Sequence, residues 1–202
     1  MFIGIYRFHS IGFLTSITQR HCQMHVVITG ASRRIGFELA KKFRDAGHHI
    51  SVHIRSRPHH YTKWKNDNID YVHEVQCDLE DSEALQKLYK DLTCKFGPPD
   101  LLINNASNFE PDLADDFTLT QLHSHQRVNL EAPILLSKQL FNDVNRLPHS
   151  SIVNIIDQKI SKPTPKFFTY SLAKNALWSA TIAMAQHFAP HVRVNGIAPG
   201  PV

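Results

Sequence analysis

With 202 residues, of which 42% are apolar and 20% charged, the chain can bury one sizeable core and is too short for two comfortable domains. Its net charge of +4 is scattered, without the concentrated basic face or stacking aromatics that a nucleic-acid partner requires. Three cysteines with no CxxC pair argue against a disulfide framework or a zinc site, and no apolar run reaches the roughly 18 residues of a membrane span.

Residues 1–24 contain Arg7 and Arg20 and no acid, a composition loosely like an organelle presequence. They lack a compact apolar stretch and a small-residue cleavage site. Met24 immediately precedes the first strand, so the segment reads as an unstructured N-terminal extension or an upstream start. The expected location is cytoplasmic, with organelle targeting through residues 1–24 as the alternative.

From Met24 onward, strand patterns alternate with helical ones. His25–Thr29 reads as a buried strand, and a helix over Ile35–Ala46 stops at Gly47. His49–Ile54 and Tyr71–Gln76 are the next strands. A helix over Ser82–Phe96 ends at Gly97-Pro98-Pro99, and Leu101–Ile103 is a fourth strand. A long helix is predicted over Leu119–Val144, where His123 and His125, two apart, point to different faces and make no metal pair. Ser151–Ile156 is the fifth strand, Phe168–Ala189 a helix and His191–Asn195 the sixth strand. Such alternation predicts an α/β fold: a Rossmann-type, doubly wound parallel sheet of order 3-2-1-4-5-6 in one domain over residues 25–202, with the ligand at the carboxyl ends of the strands.

The first strand-to-helix turn, Thr29 to Gly36, carries Gly30 and Gly36 around Ser32, Arg33, Arg34 and Ile35. Glycine lets backbone approach a pyrophosphate, and a helix N-terminus offers free N–H groups; the same pattern also suits a merely tight turn. After the second strand, where a carboxylate would select NAD, the chain has Arg55, Ser56 and Arg57. Arg55 and Ser56, with Arg33 facing them, suit the extra phosphate of NADPH, unless they are solvated loop cations. Asp78, with Leu79, follows the third strand and suits either an adenine contact or a helix cap near Asp78–Ser82. Tyr170 and Lys174 lie four apart on one predicted helix face. A tyrosine of pKa ~10 needs a neighbouring cation to exchange its proton at neutral pH, and Lys174 supplies one.

With these motifs in order, followed by Asn104-Asn105-Ala106, Asn129 and Pro199-Gly200, the chain resembles the short-chain dehydrogenase/reductases from Met24 to its end. The resemblance implies that Asn105 and Ala106 lie along the cofactor, with Ser107 beside them. It also implies that Pro199 and Gly200 flank the nicotinamide, and that Asn129 holds a water and backbone near Lys174. Two departures from the general pattern are Asp157, thirteen residues before Tyr170 where most members have serine, and Arg34, where most have glycine. Both resemble the pteridine reductase branch, as do Ser107, Phe109 and Arg55-Ser56. That likeness implies a pterin held between Phe109 and nicotinamide, with Tyr170 as proton donor and Asp157 tuning it or relaying a proton. Arg34 would touch the pterin edge or a cofactor phosphate. Taken residue by residue, Phe109 also suits an ordinary loop aromatic, and Asp157 an electrostatic support of Lys174.

The expected activity is therefore NADPH-dependent reduction of a dihydrobiopterin- or dihydrofolate-like substrate. The alternatives are a general carbonyl or 3-oxoacyl reductase and an inactive nucleotide-binding remnant. Relatives continue past Pro199-Gly200 with a substrate loop, helices and a last strand. The sequence thus reads as truncated after the sixth strand, with a homo-oligomer (dimer or tetramer) expected of the full-length form, and no metal, membrane or nucleic-acid partner.

Overall fold

A computed structural model describes residues 23–143 and 150–200, so the predicted extension lies almost wholly outside the described residues. The elements run β1 His25–Thr29, α1 Arg34–Asp45, β2 His49–Ile54, α2 His59–Asp67, β3 Val72–Gln76, α3 Ser82–Thr93, β4 Leu101–Asn104, α4 Leu119–Gln126, α5 Ala132–Asp143, β5 Ser150–Ile155, α6 Phe168–Phe188 and β6 Val192–Ile197. A π-helical turn, Arg127–Glu131, joins α4 to α5, and a 3₁₀ turn, Gln158–Ile160, follows β5. All strand pairings are parallel, in the expected order β3-β2-β1-β4-β5-β6.

A strand covered on both faces has no polar side to show, and β1 is buried at every residue. Alternate side chains then serve two cores. Val26 and Ile28 pack with Phe37, Ile50, Ile54 and Tyr61 on one side of the sheet. Val27 packs with Leu88, Leu102, Leu136 and Ile152 on the other. Strand order reverses between β1 and β4, and the crevice beyond their carboxyl ends is where this topology leaves room for a ligand.

Three elements differ from expectation. α2 was not anticipated, because its sequence His59–Asp67 is mostly polar; Tyr61 is its only fully buried residue, with Trp64 packed edge-on to Phe37. The helix predicted to start at Leu119 is interrupted by the π turn, which has wider i→i+5 hydrogen bonding. β6 extends to Ile197 because Gly196 and Ile197 pair with Asn154 and Ile155. Among the described residues, no helix is long and apolar enough to cross a membrane, and no three His, Cys, Asp or Glu side chains gather as a metal site.

Candidate active site

The glycine turn is held from below and behind. Thr29 Oγ1 accepts from the backbone N–H groups of Asn105 and Ala106, both at 3.0 Å. Asn105 Nδ2 donates to the carbonyls of Thr29 (2.9 Å) and Gly30 (3.2 Å). Gly30 has φ +67°, and a Cβ there would stand 2.7 Å from Ala106 Cα. At Gly36 a Cβ would run into the Gly30 carbonyl and lie 2.5 Å from Asn105 Nδ2. Backbone cannot yield cheaply there, so Gly36→Ala is expected to cost about 2 kcal/mol and lower the Tm by roughly 4–8 °C in thermal denaturation.

His53, read from the sequence only as strand, completes this support. Its Nδ1 accepts from Gly30 N–H at 3.4 Å, and its Nε2–H donates to the Cys77 carbonyl at 3.2 Å. Burial pushes its pKa down to about 4, so the ring stays neutral and the tautomer is set. Helix α1 begins at this turn without a side-chain cap, leaving its first N–H groups open to an anion. Arg34 sits at φ +49°, a left-handed conformation that costs a residue with a Cβ on the order of 1–2 kcal/mol and that glycine would adopt freely.

The second cluster divides. Arg55 and Ser56 line the crevice, and Arg33 Nη2 reaches Ser56 Oγ at 3.5 Å. Arg57 turns away into an ion pair with Glu74, its Nε at 2.7 Å. Asp78 lines the crevice with Leu79 and uses one carboxylate oxygen for Glu80 N–H at 3.0 Å. The cap of α3 is Asp81, which accepts from Glu83 and Ala84 N–H.

At the other end, Tyr170 Oη donates to Asp157 Oδ2 at 2.8 Å. Asp157 is itself fixed, its Oδ1 accepting from Lys159 N–H at 2.8 Å. Lys174 is 2% exposed and donates to the Ile155 carbonyl at 2.8 Å. Burial lowers its pKa to about 8, with Asp157 pulling the other way. Burial, then the Asp157 carboxylate, raise the Tyr170 pKa well above the usual tyrosine value, while Ser107 opposes weakly. The expected stabilisation of a tyrosinate by Lys174 is thus not the dominant effect: this arrangement holds the proton on Tyr170.

Asn129, on the π turn and fully buried, turns its side chain to the loop before Phe109. Its Oδ1 accepts from Ser107 Oγ (2.8 Å) and Asn108 N–H (3.2 Å), and its Nδ2 donates to the Asn108 carbonyl at 2.9 Å. Its side chain therefore supports the loop carrying Ser107. Phe109 stacks on Phe167 with centroids 4.0 Å apart and planes 7° apart, and meets Tyr170 edge-on at 4.7 Å.

One cavity of about 1220 Å³ runs from the arginines to Tyr170. It brings together every sequence-predicted site residue except Asn129, with Pro199 and Gly200 on its wall. Glu38, Leu39 and Lys42 also line it and were not anticipated. Their spacing along α1 from Ile35 follows one helix face, which was the available signal.

A sequence profile of the family described as short chain dehydrogenase matches residues 24–202. Protein FixR of Bradyrhizobium diazoefficiens is 33% identical over 190 residues, covering 88% of this chain and 66% of FixR. The chain thus spans about two thirds of that relative's length. The solved structure of FolM alternative dihydrofolate reductase 1 from Brucella canis, complexed with NADP, superposes with a TM-score of 0.81 at 36% identity, covering 88% of this chain and 73% of that one. Its counterpart from Brucella suis, also in complex with NADP, gives 0.81 at 35%, covering 89% and 76%.

Proposed function

Since the chain belongs to the short-chain dehydrogenase family, we propose that its residues 25–202 form an NADPH-dependent reductase domain acting on a pterin-type substrate. The observation that carries this reading is the hydrogen bond from Tyr170 to Asp157 beside the Phe109 ring: a proton donor kept protonated, next to an aromatic plate. The FolM structures, named as dihydrofolate reductases and complexed with NADP, support the substrate class and the cofactor.

The residues present fit such a cofactor. Gly30 and Gly36 sit where a Cβ would close the turn, and the uncapped start of α1 receives a diphosphate. Arg33 reaches Ser56 and Arg55 lines the same crevice, which suits a 2′-phosphate, and the sequence at the end of β2 carries no carboxylate to repel it. When bound, the cofactor supplies a hydride. Phe109, backed by Phe167, offers a flat surface to a planar heterocycle, and Arg34, held in its strained conformation at the cavity, offers donors to that ring's polar edge or to a phosphate. Reduction of a C=N bond leaves nitrogen needing a proton; Tyr170 Oη delivers it, and Asp157 Oδ2 orients the hydroxyl beforehand.

The tyrosine's charge after donation is compensated by Lys174, which is cationic below about pH 8 and neutral above it. NADPH oxidation with dihydrobiopterin, followed from pH 6 to 10, is therefore expected to be fastest below pH 8 and to fall as pH rises through that value. A rate that climbs through pH 8 contradicts the roles given to Tyr170 and Lys174.

A further inference from the structure

The loop that carries Phe109 is tied to the helix that carries Tyr170 by a buried set of hydrogen bonds outside the crevice. Asp112, 5% exposed, accepts from Thr169 N–H at 3.2 and 3.3 Å and from the Thr169 hydroxyl. Its carbonyl accepts from Phe167 N–H at 2.9 Å and Phe168 N–H at 3.4 Å. Phe167, the residue at the cap position of α6, makes no side-chain cap and stands at φ +63°. Asp112 therefore caps α6 from a distant loop, placing its negative charge at the positive end of the helix.

His125 of α4 completes the set and is fully buried. Its Nε2 lies 3.2 Å from Glu110 N–H, which can only donate, so Nε2 accepts and the ring proton is on Nδ1. Nδ1–H then donates to Thr169 Oγ1 at 2.7 Å, and the threonine hydroxyl in turn donates to the Asp112 carboxylate. Every bond is polarised in one direction, ending on the carboxylate. The His125 ring also meets Tyr170 edge-on at 6.1 Å.

We propose that Asp112, Thr169 and His125 are positioning residues. They latch residues 109–112 to residues 167–170, so that Phe109 and Tyr170 hold their mutual geometry as one unit. The inference rests on the proposed function for its consequence: a loosened latch leaves nucleotide binding intact and misplaces the aromatic plate against the proton donor. Neither Asp112 nor His125 lines the cavity, so both act through Phe109 and Tyr170.

The test uses Thr169→Val and Asp112→Asn in the full chain, two near-isosteric changes, read by hydrogen exchange and steady-state kinetics. Exchange over residues 107–113 and 166–171 is expected to accelerate together at least about tenfold, with Thr29–Gly36 unchanged. The KM for dihydrobiopterin should rise on the order of tenfold, with a smaller change in kcat and an unchanged Kd for NADPH. Thr169→Ser, which keeps the hydroxyl, should restore exchange and KM. Exchange that stays at the wild-type rate in both variants overturns the latch. So does a loss of NADPH binding, which would mark a general defect, or a KM that does not move. If the wild-type chain reduces no pterin, the proposed function fails, and the exchange measurement still decides whether the latch exists.

Discussion

Tyr170→Phe is expected to lower turnover by about 10²–10⁴-fold, the usual contribution of a positioned general acid, with NADPH affinity unchanged. The substitution removes one oxygen from a ring that keeps its edge-on contact with Phe109, so the crevice retains its shape. It also removes the hydroxyl donor from Asp157 Oδ2, while Asp157 keeps the Lys159 N–H and its charge beside Lys174. The loss should fall mainly on kcat, because the hydroxyl acts when the proton moves and contributes little to holding a flat ring. Single-turnover absorbance of NADPH, alongside fluorescence titration of its binding, separates the two effects. Unchanged turnover would remove Tyr170 from the chemistry.

The second large effect concerns cofactor choice. Arg33 reaches Ser56 and Arg55 lines the same crevice, whereas Arg57 is occupied by Glu74. Hydrogen bonds to charged groups contribute about 1.5–3 kcal/mol each, and about 1.4 kcal/mol is tenfold in affinity. The double variant Arg33→Ala, Arg55→Ala should therefore weaken NADPH by about 100-fold or more and leave NADH nearly unaffected, erasing the preference. Arg57→Ala is the comparison, and should change selectivity far less. Equal losses with both cofactors would place the arginines on the shared diphosphate instead of the 2′-phosphate.

The strands were legible because parallel strands covered on both faces read as unbroken apolar runs, as in His25–Thr29. The two ends of the crevice were legible because their residues lie close in sequence: Thr29 to Gly36, Arg55-Ser56, and Tyr170 four residues before Lys174. What escaped was long-range or lacked a local signal. α2 shows no amphipathic stripe, and a π turn has no composition of its own. His53 gave no sign that its ring, and not only its backbone, carries the glycine turn. The contact of the Asn129 side chain with Ser107 spans 22 residues, beyond any local pattern. Asp112 lies 57 residues from Thr169, and His125 lies 44 from it, so no spacing rule could join them. The Tyr170 shift likewise rests first on burial and then on the contact with Asp157, both of which only the geometry shows.

The most direct test of the central claim is NADPH oxidation by the purified chain with dihydrobiopterin, set beside NADH and a simple β-ketoester. The roles given to Asp157, Phe109 and the paired arginines predict turnover selective for NADPH and the pterin. Faster reduction of the β-ketoester than of dihydrobiopterin would contradict that account and make the site that of a general carbonyl reductase.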